Sequence, residues 1–154
     1  MALADLLQQD AIIPALKVNS KKQLLQELAA KAAKLTGVPE REIFDVILQR
    51  ERLGSTGVGH GVAIPHGKLG SISSIKGVFA RLDSAVDFEA LDDEPVDLVF
   101  LLLAPEGAGA DHLKALSRIA RVLRDQELVN KLRQTDSASA IYAFLNEEQA
   151  SNAA

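Results

Sequence analysis

Val96-Asp-Leu-Val-Phe-Leu-Leu-Leu103 holds a single polar residue, and it continues through Ala104 to Pro105 before the chain turns polar again. A run this short cannot cross a bilayer, which takes about 20 apolar residues in helical form. Without strict alternation it reads instead as a strand buried on both faces, and such strands occur where helices cover both sides of a sheet. Two weaker segments, Ile75 to Leu82 and Ala85 to Phe88, read as further strands, and Ile12-Ile13-Pro14 as a brief edge strand where the missing proline donor does little harm.

Outward from this core, the remaining apolar spacing is helical. Ser20 reads as an N-cap, followed by Leu24, Leu25, Leu28, Ala32 and Leu35 at helical intervals until Gly37 stops the run. Pro39 at a first-turn position opens a second helix with Ile43, Phe44, Ile47 and Leu48 inward, ending in the charged cluster Arg50, Glu51, Arg52. A third pattern starts near Asp111, with Leu113, Leu116, Ile119, Ala120 and Leu123 inward, and two shorter helices follow over 125–132 and 137–145. Strands set among helices define an α/β chain, and no composition shift suggests more than one domain, over residues 1–146, with 147–154 a polar tail.

Composition narrows the chemistry. Seventeen basic and 21 acidic residues leave a net charge of -4 without a basic stripe, so nucleic acid is not expected as a partner. There is no cysteine, which removes disulfides, thiolate metal sites and cysteine nucleophiles. The N-terminus lacks a basic region and reaches Asp5 too early for a signal core, so a soluble cytoplasmic protein without membrane insertion is expected. Three histidines without close ligand spacing do not make a zinc site, and no metal or cofactor is expected.

One segment carries the candidate chemistry: Gly54-Ser-Thr-Gly-Val-Gly-His-Gly-Val-Ala-Ile-Pro-His-Gly67. It reads as a tight turn and a short strand ending at Pro65-His66. Gly54 and Gly59 have P-loop spacing, but His60 and Gly61 stand where Lys and Ser/Thr are needed. The dinucleotide pattern fails as well, because Val62 occupies the place of its last glycine. What is left is a loop whose small residues, Gly54, Ser55 and Thr56 first among them, could bring donors to an anion.

His66 sits between a proline that stiffens the chain and a glycine that removes bulk, which suits a nucleophile. An ordinary imidazole is largely unprotonated near neutral pH and can attack phosphorus. Transfer then requires donors for the phosphoryl oxygens. Arg50 offers a forked cation, and His112, beside Asp111 at a helix start, offers a second imidazole. By residue type alone, a surface turn, a solvated cation at a helix end and a capping neighbour are the commoner roles of these three. His60 reads as a loop residue. A base and acid pair of His66 and His112 in a hydrolase or lyase is a further reading, unsupported by any matched nucleophile or carboxylate pair.

Arg50-Glu-Arg-Leu-Gly-Ser-Thr-Gly-Val-Gly-His-Gly-Val-Ala-Ile-Pro-His66-Gly-Lys resembles the active-site signature of mannitol/fructose-type enzyme IIA domains of the bacterial phosphotransferase system, particularly the nitrogen-regulatory IIA proteins. Weaker resemblance extends from Ile12-Ile13 to the final helices, through Leu101-Leu-Leu-Ala-Pro105 and Asp111-His112-Leu113. It implies a mixed β-sheet flanked by helices on both faces. It further implies a phosphotransferase in which His66 carries the phosphoryl group, with Arg50 and His112 as the other active-site residues. The implied donor is HPr or its nitrogen-branch homologue, fed from phosphoenolpyruvate by an enzyme I. Regulated targets such as potassium transporters or sensor kinases are implied too.

The mannitol/fructose sugar branch passes phosphate to a IIB domain through a cysteine, often in the same polypeptide. This chain has none, so the group must leave in trans or serve as a signal. Regulation is favoured, a free-standing IIA serving a separate IIB is the alternative, and a non-catalytic partner-docking module is the alternative of another class.

Overall fold

The computed structural model of the chain describes residues 3–153. Helix α1 (Leu3–Leu6) and a 3-10 turn (Gln9–Ala11) lead into β1 (Ile12–Leu16), α2 (Lys21–Thr36) and α3 (Glu40–Arg52). Three short strands follow, β2 (Gly57–Gly59), β3 (Val62–Ala63) and β4 (His66–Leu69), then the long strands β5 (Lys76–Val86) and β6 (Val96–Pro105). Helices α4 (Ala110–Val122), α5 (Gln126–Arg133) and α6 (Ala138–Ala153) complete the chain.

The six strands form one sheet in the order β1-β5-β6-β3-β2, with β4 also pairing β6. β1 runs parallel to β5, β3 and β4 run parallel to β6, while β5 and β6 are antiparallel. The sheet is therefore mixed, with β1 at one edge as its proline allows.

β6 lies at the centre, and its unbroken apolar run is explained by what covers it. Leu98, Phe100 and Leu102 pack with Ile119 of α4, Leu128 and Val129 of α5 and Ile141 of α6. Val99, Leu101 and Leu103 point the other way, onto Leu24, Leu25 and Leu28 of α2 and Ile43 and Ile47 of α3. Each such Leu or Phe, fully buried, contributes roughly 1.5–3 kcal/mol over an exposed one. Helices thus cover both faces, and the expected architecture holds.

Local signals set the α2 boundaries as read. Ser20 Oγ accepts from the Gln23 amide at 3.1 Å, and Gly37 closes the helix at φ 78°, a left-handed conformation that costs glycine little. Pro39 precedes the first turn of α3 as its N-cap, with an extended ψ of 135°, instead of sitting inside it.

Four further differences have physical causes. The two expected strands over 75–88 are one strand, because exposed Asp83 and Ser84 mark a register shift between Arg81 and Val86 and not a turn. The helix expected to stop at Leu145 continues to Ala153, since no glycine or proline interrupts it and Asn146 Nδ2 bonds back to the Tyr142 carbonyl at 3.0 Å. In α4 the buried stripe is His112, Ala115, Ile119 and Val122. Leu113, expected inward, is one helical step off that stripe and 65% exposed.

The last difference concerns the glycine segment. Its strand does not end at His66 but is interrupted at Pro65 and resumes there. Proline has no N–H for the ladder, yet its carbonyl still accepts from Leu102 at 3.0 Å. β4 then pairs His66 with Leu102 along the same neighbour.

Candidate functional site

The break at Pro65 sets His66 at the first residue of β4, half-buried, with both ring nitrogens engaged. Nδ1 lies 2.9 Å from the Ile64 carbonyl. Arg50 Nε donates to Nε2 at 3.2 Å. A carbonyl can only accept and a guanidinium can only donate. The two neighbours therefore demand one neutral tautomer, with the proton on Nδ1 and the lone pair on Nε2.

Electrostatics favour the same neutral state. Burial holds the His66 pKa below the ordinary 6.5; the Ile64 carbonyl pulls it up, Arg50 pushes it down and Glu51 pulls it up. The net effect keeps the Nε2 lone pair free of a proton near neutral pH.

Arg50 reaches this position from the last turn of α3 and is steadied by Nη1 donating to the Gly54 carbonyl at 2.9 Å. The approach of α3 to β4 requires a glycine beside His66. A Cβ at Gly67 would come within 2.5 Å of Val46 Cγ1. A larger residue there would force Val46, and α3 with it, to shift against β4.

His112 comes from the first turn of α4, so that a residue 46 positions from His66 in sequence brings its ring centroid within 5.5 Å, at an interplanar angle of 57°. It is 6% exposed. Its Nδ1 is buried with no hydrogen-bond partner among the described residues. Burial first, then His66 and Lys68, lower its pKa from 6.5.

A consequence for stability follows from these two histidines. Both bind protons less readily folded than unfolded, so the unfolded chain gains protons first as pH falls. Unfolding free energy is expected to hold above pH 6.5 and to decline below it, through the window between that unfolded value and the lowered folded values. Urea unfolding between about pH 7.5 and about pH 5.5 measures this; a flat response would contradict the sign.

The three candidate phosphate-loop residues occupy supporting positions. Ser55 Oγ donates to the Phe88 carbonyl at 2.9 Å and accepts from the Gly57 amide at 3.1 Å. The buried Thr56 hydroxyl donates to Glu51 Oε2, and its amide donates to Glu51 Oε1 at 3.1 Å. The Gly54 amide donates to the Glu51 carbonyl at 3.1 Å. These contacts tie the loop to the protein at Phe88 and Glu51.

Glu51 is the residue that sequence reasoning passed over, as one member of a charged cluster. It is 6% exposed. A signal was present: Ile43, Ile47 and Glu51 recur every four residues, which places the carboxylate on the buried stripe of α3. His60, read as a loop residue, lies exposed in the β2–β3 turn at φ 57°, where its amide donates to Asp92 Oδ2 at 3.0 Å.

Among the described residues no group of three or more His, Cys, Asp or Glu could hold a metal ion. No helix among them is long and apolar enough to cross a membrane.

The fold and site are those of an α/β protein whose mixed sheet carries an Arg-supported histidine at a strand break. Residues 5–148 match the family model "Phosphoenolpyruvate-dependent sugar phosphotransferase system, EIIA 2", and the chain belongs to that family.

Within it, the chain is similar to the nitrogen regulatory protein of Bradyrhizobium diazoefficiens, at 68% identity over 145 residues, 94% of this chain and 95% of that one. The crystal structure of nitrogen regulatory protein IIA-Ntr from Neisseria meningitidis superposes with a TM-score of 0.88 at 35% identity, covering 93% of this chain and 98% of that one. A PTS system fructose-specific EIIA component from Haloferax volcanii is 37% identical over 126 residues, 81% of this chain and 80% of that one.

Proposed function

We propose that His66 Nε2 accepts a phosphoryl group from a phosphohistidine carrier of the HPr or nitrogen-branch type, and that partner proteins read the result as a regulatory signal. The observation that carries this reading is the pair of opposed contacts on His66, Ile64 O at 2.9 Å and Arg50 Nε at 3.2 Å, which leave Nε2 as the unprotonated atom.

In the transfer the Nε2 lone pair forms a bond to phosphorus as the donor's P–N bond breaks, and that electron pair returns to the donor's imidazole. Arg50 exchanges its hydrogen bond to the lone pair for bonds to the phosphoryl oxygens. The His66 ring keeps its Nδ1 proton, and the Ile64 carbonyl stabilises the positive charge that develops there. His112, its ring centroid 5.5 Å from that of His66, provides a second donor.

Access to partners is supported by exposed apolar side chains beside these residues. Leu53 caps α3 three positions after Arg50 and is 85% exposed, and Leu113 follows His112 at 65% exposed. In the proposed complex these two leucines supply the apolar surface that a partner covers. Phosphorylation adds about two negative charges beside them, enough to block or create a contact. Potassium transporters and sensor kinases are the target classes we propose, in the cytoplasm.

Incubation with phosphoenolpyruvate, enzyme I and the carrier protein is expected to give an acid-labile, base-stable phosphate on the chain. Capture experiments with labelled and unlabelled protein should recover different partners; identical recovery would remove the regulatory half. The likeness to a fructose-specific EIIA component supports a second reading, relay to a separate IIB protein. Loss of label upon adding a cysteine-bearing IIB would favour it.

A further inference from the structure

Buried carboxylates demand partners, and Glu51 has them in a pattern that leads to both members of the histidine–arginine pair. Lys21 Nζ lies 3.0 Å from Oε1. Thr56 donates its amide to Oε1 at 3.1 Å and its hydroxyl to Oε2. A carboxylate this buried is retained only with its charge and lone pairs met, so the three groups form a rigid unit.

From Thr56 the connections run to the site. The Thr56 carbonyl accepts from the Ile64 amide at 3.0 Å. The Ile64 carbonyl in turn accepts the Nδ1 proton of His66 at 2.9 Å. On the other side, the loop that Glu51 anchors presents the Gly54 carbonyl to Arg50 Nη1 at 2.9 Å. Lys21 is itself seated over the Phe88 ring at 4.5 Å. The Phe88 carbonyl holds Ser55 at 2.9 Å. Helices α2 and α3, the loop and the segment around Phe88 are thus clamped at one carboxylate.

We propose that Glu51, charge-balanced by Lys21, is a positioning residue for phosphoryl transfer: through Thr56 and Ile64 it holds His66 in the Nδ1-protonated tautomer and keeps Arg50 on Nε2. The role rests on the reading of His66 as the phosphoryl acceptor. An ordinary structural ion pair would steady the fold without bearing on the tautomer. This one lies two hydrogen-bonded residues from the imidazole and immediately follows Arg50 in α3. Its negative charge also favours the cationic ring that phosphorylation creates, in line with its upward pull on the His66 pKa.

Glu51→Gln keeps an acceptor for Thr56 but removes the charge opposite Lys21. Thr56→Val removes only the hydroxyl at nearly constant volume, and Thr56→Ser returns it. Phosphotransfer kinetics with varied carrier concentration and 15N NMR of the His66 ring, recorded without phosphate, measure the two effects. In Glu51→Gln the maximal rate is expected to fall about 10- to 100-fold from small misplacement of the reacting groups, with KM for the carrier near the parent value. The ring should show a mixture of tautomers. Thr56→Val should shift both readouts in the same direction by less, and Thr56→Ser should restore them.

Parental rate and tautomer in Glu51→Gln and Thr56→Val, in a wild-type chain that does label, overturn the positioning role alone. So does a Thr56→Ser variant that behaves as Thr56→Val does. A wild-type chain that takes no label overturns the phosphoryl reading and this role together. If Glu51→Gln does not fold, the Thr56 pair decides.

Discussion

His66→Ala is expected to take no phosphoryl label from phosphoenolpyruvate, enzyme I and carrier, while it folds as the parent does. The loss should be complete because the other two imidazoles are poor substitutes. His112 is buried, its Nδ1 unpartnered among the described residues, and His60 is exposed in the β2–β3 turn. Cysteine, the other strong nucleophile, is absent. Folding should survive because His66 is half-buried and opens a strand whose ladder to β6 is made by backbone groups. Label in His66→Ala at the parental level would move the acceptor elsewhere, with the three single histidine variants showing where.

The second large effect is expected at Arg50. Its guanidinium touches the nucleophilic nitrogen at 3.2 Å and is fixed on Gly54. Removing one preorganised donor to a developing anion typically lowers a rate by about 10²–10³-fold, and Arg50→Ala should fall in that range. Arg50→Lys should recover little, since an ammonium cannot hold the Gly54 carbonyl and the phosphoryl oxygens as a planar fork does.

A second readout separates this role from a structural one. Arg50 is among the causes that depress the His66 pKa. Without it that pKa should rise, and the acid limb of the pH–rate profile should move to higher pH. Full transfer in Arg50→Lys, or an unmoved acid limb in Arg50→Ala, would remove the arginine from the proposed site.

Several parts of this molecule are legible one segment at a time. The double-faced burial of β6 follows from eight residues with one polar member. Ser20 and Gly37 bound α2 because a cap and a left-handed turn are satisfied by neighbours in sequence. The candidates His66, Arg50 and His112 stood out through residue type and motif, which composition alone left as one reading among several. Signals of this kind are local: they depend on backbone groups and side chains a turn or two apart.

Tertiary structure decided the rest, because a polar group is satisfied by whatever the fold brings to it. Nothing in the spacing of Leu113 and His112 says which faces the sheet; packing against β6 turned the histidine inward and left the leucine 65% exposed. Glu51 reads as a surface charge until Lys21, from another helix, arrives at 3.0 Å. In sequence Ser55 and Thr56 suit an anion contact or a shaped turn alike, and only the fold brings Phe88 and Glu51 to their hydroxyls.

His66 shows the division most clearly. Its residue type and its place between Pro65 and Gly67 were open to inspection in the chain. Which of its nitrogens carries the lone pair depends on a carbonyl two residues back and a guanidinium sixteen residues back, brought together only when α3 packs against β4.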